Sequence, residues 1–150
     1  MSSNLIHRFQ ATGAGTPVNA YIVEGRSGSV VIDSTLTVSD GRALRARVDE
    51  LGKPLLGAVI THAHPDHYGG LVELVRDLDV PVFATRGVVE VIRRDDPVKE
   101  QILRPMFGDE WPAQRAFPNQ TVEDDSVLAL DEIRLRVTDL GPNESPHDSI

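Results

Sequence analysis

Thr61-His62-Ala63-His64-Pro65-Asp66-His67-Tyr68-Gly69-Gly70 is the stretch on which the reading of this chain turns. Three of the five histidines of the chain fall within six positions, beside an aspartate. The run before them, Leu55 to Thr61, is short, apolar and bounded by Pro54 and a polar cluster, so it reads as a buried strand. A strand end holds the loop that follows it, so side chains there can be fixed to sub-ångström geometry. His62 and His64 are two apart. In an extended stretch they point the same way and can share one metal. Asp66 and His67 are adjacent, near a helix start, and point elsewhere, where they could serve a second metal. Pro65 stiffens the turn between the pairs, and Gly69-Gly70 lets the next backbone segment pass close. A single loop histidine is usually a solvated surface residue. A cluster of this density reads as a ligand set.

Outward from that stretch the chain alternates strands and helices. Val18 to Val23 and Ser29 to Ile32 are rich in β-branched residues, with Gly25 to Gly28 as a turn between them. Leu44, Val48 and Leu51 recur at spacings of four and three, which predicts a helix capped by Ser39 or Asp40 and stopped by Gly52 and Pro54. Leu71, Leu74, Val75 and Leu78 predict a second helix after the histidine cluster. Val80 to Ala84 predicts another buried strand. Thr85 can cap a third helix through Val88, Val89 and Ile92, closed by Pro97. Lys99 to Asn119, broken by four glycine and proline positions, is expected to be a structured loop over the site. Thr121 to Leu130 and Ile133 to Val137 suggest a hairpin turning at Asp131-Glu132, and the end of the chain reads as a loop without further elements. The pattern is α/β after an initial antiparallel hairpin.

Composition narrows the chemistry. There is no cysteine, so disulfides and thiolate sites are excluded and any metal must use His, Asp or Glu. A formal net charge of -8 argues against nucleic acid as a partner. No apolar run approaches the roughly 20 residues that span a bilayer. Met1 to Arg8 has no apolar stretch behind a basic start, so a cytoplasmic protein without a secretory signal is expected. The length of 150 residues fits one domain, residues 1–150.

The motif from His62 to His67 resembles the H-x-H-x-D-H signature of the metallo-β-lactamase superfamily. Asn19-Ala20-Tyr21-Ile22-Val23 and Val31-Ile32-Asp33-Ser34 are similar to its early strands, the second ending in an aspartate that supports the metal loop. The resemblance implies an αββα sandwich with helices outside and a metal site along one sheet edge. It implies zinc, as one or two ions, with iron or manganese in some branches. His62 and His64 would bind the first metal, and Asp66 and His67 the second. The family's third ligand is usually a histidine in a loop resembling Gly141 to Ser149. Aligned on Ser145-Pro146 and Asp148-Ser149, Glu144 falls at that position and His147 three positions later. A carboxylate there resembles the alkylsulfatase branch, and His147 is expected only as a backup ligand or substrate contact. The family's bridging aspartate and last histidine belong to a second half, so the N-terminal half of the sandwich is expected here. It would be completed by a C-terminal half or by association with another copy.

The chemistry implied is hydrolysis of a small molecule: an ester, thioester, lactam, sulfate ester or phosphodiester. Water activated by a metal would attack the substrate, and Asp66 would hold the second metal or orient the nucleophile. Two rivals share the residues. An iron-dependent sulfur dioxygenase of the same fold is one; His64 speaks against the oxygen-reducing branch but not against this one. A catalytically incomplete module that binds metal and works by association is the other.

Overall fold

The computed structural model describes residues 4–13, 15 and 17–150. Met1 to Ser3, part of the segment read for a leader, lie outside the described residues. The chain first folds back on itself twice. Strand β1 (Leu5–Ala11) pairs antiparallel with β2 (Val18–Glu24), which pairs antiparallel with β3 (Ser29–Ile32). Sequence reasoning missed β1. Its inward face is His7, Phe9 and Ala11, of which only Ala11 is fully buried, while Leu5 and Ile6 stay 58% and 69% exposed, so no apolar alternation announces it.

Helix α1 (Val38–Asp49) follows. Its cap is Thr37, earlier than the expected Ser39 or Asp40: the Thr37 hydroxyl accepts from the Asp40 amide at 3.1 Å and donates to its carboxylate at 2.9 Å. This reciprocal pair resembles a capping box. Leu44 and Val48 are buried and Leu51 packs at the rim of the same cluster. Strand β4 (Leu55–Val59) then lies parallel to β3.

The expected single helix after the histidines is two short turns, α2 (Pro65–Tyr68) and α3 (Leu71–Leu74), separated by Gly69-Gly70. A Cβ on Gly69 would stand 2.6 Å from the Leu36 carbonyl oxygen, so this close approach requires glycine. Leu71 and Leu74 are buried, while Leu78 lies at the surface.

Strand β5 (Val82–Thr85) continues the sheet parallel to β4. Helix α4 (Arg86–Phe107) runs straight through Pro97, where closure was expected. A proline inside a helix removes one backbone hydrogen bond and crowds the preceding turn. Here anchors beyond the proline hold the second half: Lys99 donates to the Ala63 carbonyl, and Glu100 accepts from Trp111 Nε1 and Arg104. The segment read as a loop from Lys99 is thus helical to Phe107. A 3-10 turn (Gly108–Glu110) follows, and Trp111 is buried. Besides Lys99, the segment bonds to α1, α4, the Gly69 backbone and Val82 at the start of the next strand, β5, through Ser39–Glu110, Arg115–Asp96, Arg115–Gly69 and Asn119–Val82, rather than to the histidine side chains.

Strand β6 (Gln120–Val122) joins the sheet parallel to β5, giving the order β1-β2-β3-β4-β5-β6. It is therefore split from the expected long hairpin arm at Glu123 to Asp125. The hairpin proper is β7 (Ser126–Leu130) with β8 (Ile133–Val137), turning at Asp131-Glu132. The tail is not bare loop: β9 (Asp139–Gly141) pairs with β10 (Asp148–Ser149).

Alternation along the strands sorts the core into two layers. Ile22, Val31, Ala58 and Ile60 pack with Leu44, Val48, Leu71, Leu74, Val88 and Ile92 of the helices. Their neighbours Val23, Val30 and Val59 pack on the other face with Ile133, flanked by Leu128, Leu130 and Leu135 of the hairpin. Helices cover one face of the mixed sheet, as expected for one half of the sandwich. Among the described residues no helix is long and apolar enough to cross a membrane.

Candidate metal centre

The site lies beyond the carboxyl end of β4, where the parallel neighbours β3 and β5 also end. Asp33, just past β3, fastens the corner. Its backbone takes φ 60°, a left-handed conformation that aspartate tolerates better than most residues. Its amide donates to the Val59 carbonyl at 2.8 Å. Its carboxylate accepts from the Thr61 amide at 2.8 Å and from the Thr61 hydroxyl at 2.7 Å. The same carboxylate lies 2.9 Å from His67 Nδ1.

The far end of the chain closes the site from the other side. His62 and Asp148 form an isolated antiparallel bridge, and the Ser149 amide donates to the Thr61 carbonyl at 2.8 Å. The Asp148 carboxylate accepts from the Glu144 amide at 2.7 Å and from the Ser145 amide and hydroxyl, which curls residues 144–148 into a tight loop. Burial works against the Asp148 charge, but these hydrogen bonds outweigh it and hold its carboxyl below the usual range.

His62, His64 and Glu144 offer ligand atoms that all lie within 4.8 Å of one another. His62 is 7% exposed, and its Nδ1 is 3.0 Å from the Thr61 hydroxyl. Its Nε2 is buried without a hydrogen-bond partner and stands 3.6 Å from Glu144 Oε2. A buried nitrogen left unpaired carries a desolvation penalty unless something else binds it. The gap to Glu144 is too long for a hydrogen bond and suits an intervening ion. Burial, then the neighbouring His67 and His64, push His62 below its ordinary pKa, so it keeps the lone pair a ligand needs. The donor set of two imidazoles and a carboxylate therefore fits a divalent metal.

His67 stacks near His62, with ring centroids 4.0 Å apart. Its Nε2 is 3.7 Å from Asp66 Oδ2, while Nδ1 is taken by Asp33. Burial opposes the His67 charge, yet the Asp33 hydrogen bond and charge raise its pKa overall. Asp33, His62 and His67 also converge within 4.8 Å. Both Asp33 oxygens are already spent on Thr61 and His67, so we read Asp33 as an orienting carboxylate rather than a ligand. His147 joins neither group. Its ring lies against Gly87 at the start of α4, where a Cβ would stand 2.5 Å from His147 Cγ.

Sequence reasoning gave no role to Thr61, Asp148, Ser149 or Lys99. The threonine at the end of an apolar strand was a readable signal for the first. The others act across chain separations that no local pattern reports.

Known proteins share this architecture. The (R)-specific secondary-alkylsulfatase of a Pseudomonas species is 36% identical over 81 residues, 49% of this chain and 12% of that protein. Alkyl/aryl-sulfatase BDS1 of Saccharomyces cerevisiae is 32% identical over 88 residues, 57% of this chain and 14% of that protein. The structure of MEM-A1, a subclass B3 metallo-beta-lactamase from a soil metagenome library, superposes with a TM-score of 0.71 at 20% identity, covering 96% of this chain and 52% of that one. The chain thus spans about half the length of that solved structure and a small part of the curated relatives. The family model of the metallo-beta-lactamase superfamily matches residues 13–150, and the chain belongs to that superfamily.

Proposed function

We propose that this chain carries the metal-binding half of a hydrolase that acts on a small sulfate ester. The observation that carries the reading is the unpartnered, buried Nε2 of His62, facing Glu144 with His64 beside them. His62, His64 and Glu144 would hold a first zinc ion, and Asp66 and His67 a second where one binds. When bound, such an ion supplies Lewis acidity and brings the ionisation of water towards neutral pH.

The protein's own residues do the rest. His62 presents a neutral imidazole because burial disfavours its cation. Glu144 adds a negative charge to the ligand set, which lowers the electron demand of the metal relative to a third histidine. Asp33 holds Nδ1 of His67 and so turns Nε2 towards the site. Where no second ion binds, Asp66, 3.7 Å from that nitrogen, would orient an incoming water and accept its proton. The carboxylate at position 144 and the likeness to two alkylsulfatases support a sulfate ester over the other hydrolysable groups.

The test is zinc affinity by chelator competition in the wild type, Glu144→Gln and His147→Ala, with metal content by elemental analysis. Glu144→Gln keeps the shape and removes the charge, so affinity should fall sharply, while His147→Ala should bind as the wild type does. Loss of the metal in His147→Ala with Glu144→Gln unaffected would move the ligand three residues along the loop. Stoichiometric iron in the purified protein would replace the hydrolase with the sulfur dioxygenase reading.

A further inference from the structure

The second half of α4, beyond Pro97, reaches back to the motif. Lys99 Nζ donates to the carbonyl oxygen of Ala63, the residue between His62 and His64. Ala63 is fully buried. The Lys99 ammonium also lies 5.7 Å from the centre of the Tyr68 ring. That ring is held in turn: the Tyr68 hydroxyl donates to Asp96 Oδ1 at 2.8 Å, and Arg115 donates to the same oxygen at 2.8 Å. Arg115 stacks over Trp111 at 4.2 Å, and Trp111 Nε1 donates to Glu100. One stretch of α4 thus holds the histidine motif at two points, Lys99 at Ala63 and Asp96 at Tyr68, while Glu100 holds the Trp111 on which Arg115 stacks.

The plainer account is that a long side chain caps a stray carbonyl and stabilises the fold. Its location argues for more. The Ala63 carbonyl belongs to the peptide that joins Ala63 to His64, so its direction sets where the His64 imidazole projects relative to His62. A lysine needed only for solubility would extend its ammonium into water. This one is half-buried, and burial pushes its pKa down despite Asp95 and Asp96. Ligand geometry tolerates errors of only about 0.5 Å before function suffers.

We propose that Lys99 is a positioning residue for the metal centre: bonded to the Ala63 carbonyl and seated against Tyr68, it fixes the peptide that makes His62 and His64 converge. This rests on the reading of those two histidines as ligands.

The experiment uses the whole chain as wild type, Lys99→Met and Lys99→Arg, with His62→Ala as a control. Zinc affinity is read by chelator competition. The cobalt-substituted visible spectrum reports ligand geometry, and amide exchange of residues 61–68 is followed in the metal-free protein. Lys99→Met should lose about 10- to 100-fold in affinity, the range found when a group behind a ligand is removed. Its cobalt bands should shift and its 61–68 amides should exchange faster, while Lys99→Arg, which keeps a charged donor, should recover most of the loss. If Lys99→Met does not fold, Lys99→Leu, which also lacks a donor, takes its place under the same readings. Wild-type affinity and cobalt spectrum in the folded Met or Leu variant would overturn the proposal and leave Lys99 a support of the fold. If His62→Ala also binds as the wild type, the metal reading itself falls; if only His62→Ala loses zinc, the lysine proposal alone fails.

Discussion

Asp33 Oδ2 lies 2.9 Å from His67 Nδ1, while the other Asp33 oxygen accepts the Thr61 amide at 2.8 Å. One side chain thereby ties the end of β3 to the strand end that launches the motif and to its last histidine. A histidine that donates from Nδ1 keeps its lone pair on Nε2, the nitrogen beside Asp66. Asp33→Asn preserves the size and tolerates the left-handed backbone, but it replaces one acceptor oxygen with an N–H donor. We expect the His67 tautomer to change, visible in the nitrogen chemical shifts of the ring, and metal affinity to fall about 10- to 100-fold. An Asn variant with the wild-type tautomer and affinity would remove Asp33 from the centre.

The core gives an independent check on the fold. Leu74 is fully buried in the layer between the helices and the sheet, and its carbonyl accepts from Arg45 at 3.1 Å. Leu74→Ala keeps that backbone bond and opens a cavity. The expected loss of stability is about 2–5 kcal/mol, measured by urea unfolding. A loss below about 0.5 kcal/mol would place the side chain at the surface.

Where the chain was legible, a local pattern and its tertiary use agreed. Val18 to Ile32 and Leu55 to Val59 form strands because β-branched and apolar runs sit between glycine or proline breaks. The motif was legible as a cluster because ligand residues are rare at that density. Legibility failed where distant contacts decide. Pro97 should end a helix, and only Lys99 and Glu100, meeting Ala63 and Trp111, explain why α4 continues. Glu144 could be placed by alignment of its loop, but the clamp that brings it to His62 is the bridge from Asp148, a contact between positions 86 apart in the chain. Glu123-Asp124-Asp125 looked like part of one strand. Asp125, at φ 53°, breaks it and sends β6 and β7 to different sheets.

The turn at Asp131-Glu132 gives a prediction in pH. Glu132 accepts from the Arg26 amide, from the Ser27 amide at 2.9 Å and from the Ser27 hydroxyl at 2.7 Å, so it pins the hairpin to the turn between β2 and β3. These hydrogen bonds, the Ser27 hydroxyl foremost, lower its pKa from 4.5 to about 2. A carboxyl whose folded pKa is depressed contributes stability above its unfolded pKa and loses it as pH falls through the folded value. The contribution of Glu132 should therefore be complete above about pH 4.5 and fade towards pH 2. Glu132→Gln cannot ionise, so it should be less stable than the wild type near neutral pH, and the gap should close on acidification. Urea midpoints of the two proteins, taken across that range, read the gap directly. Other carboxylates titrate in the same window and cancel in the difference. A gap that stayed constant with pH would mean that the glutamate charge does not couple the hairpin to the sheet.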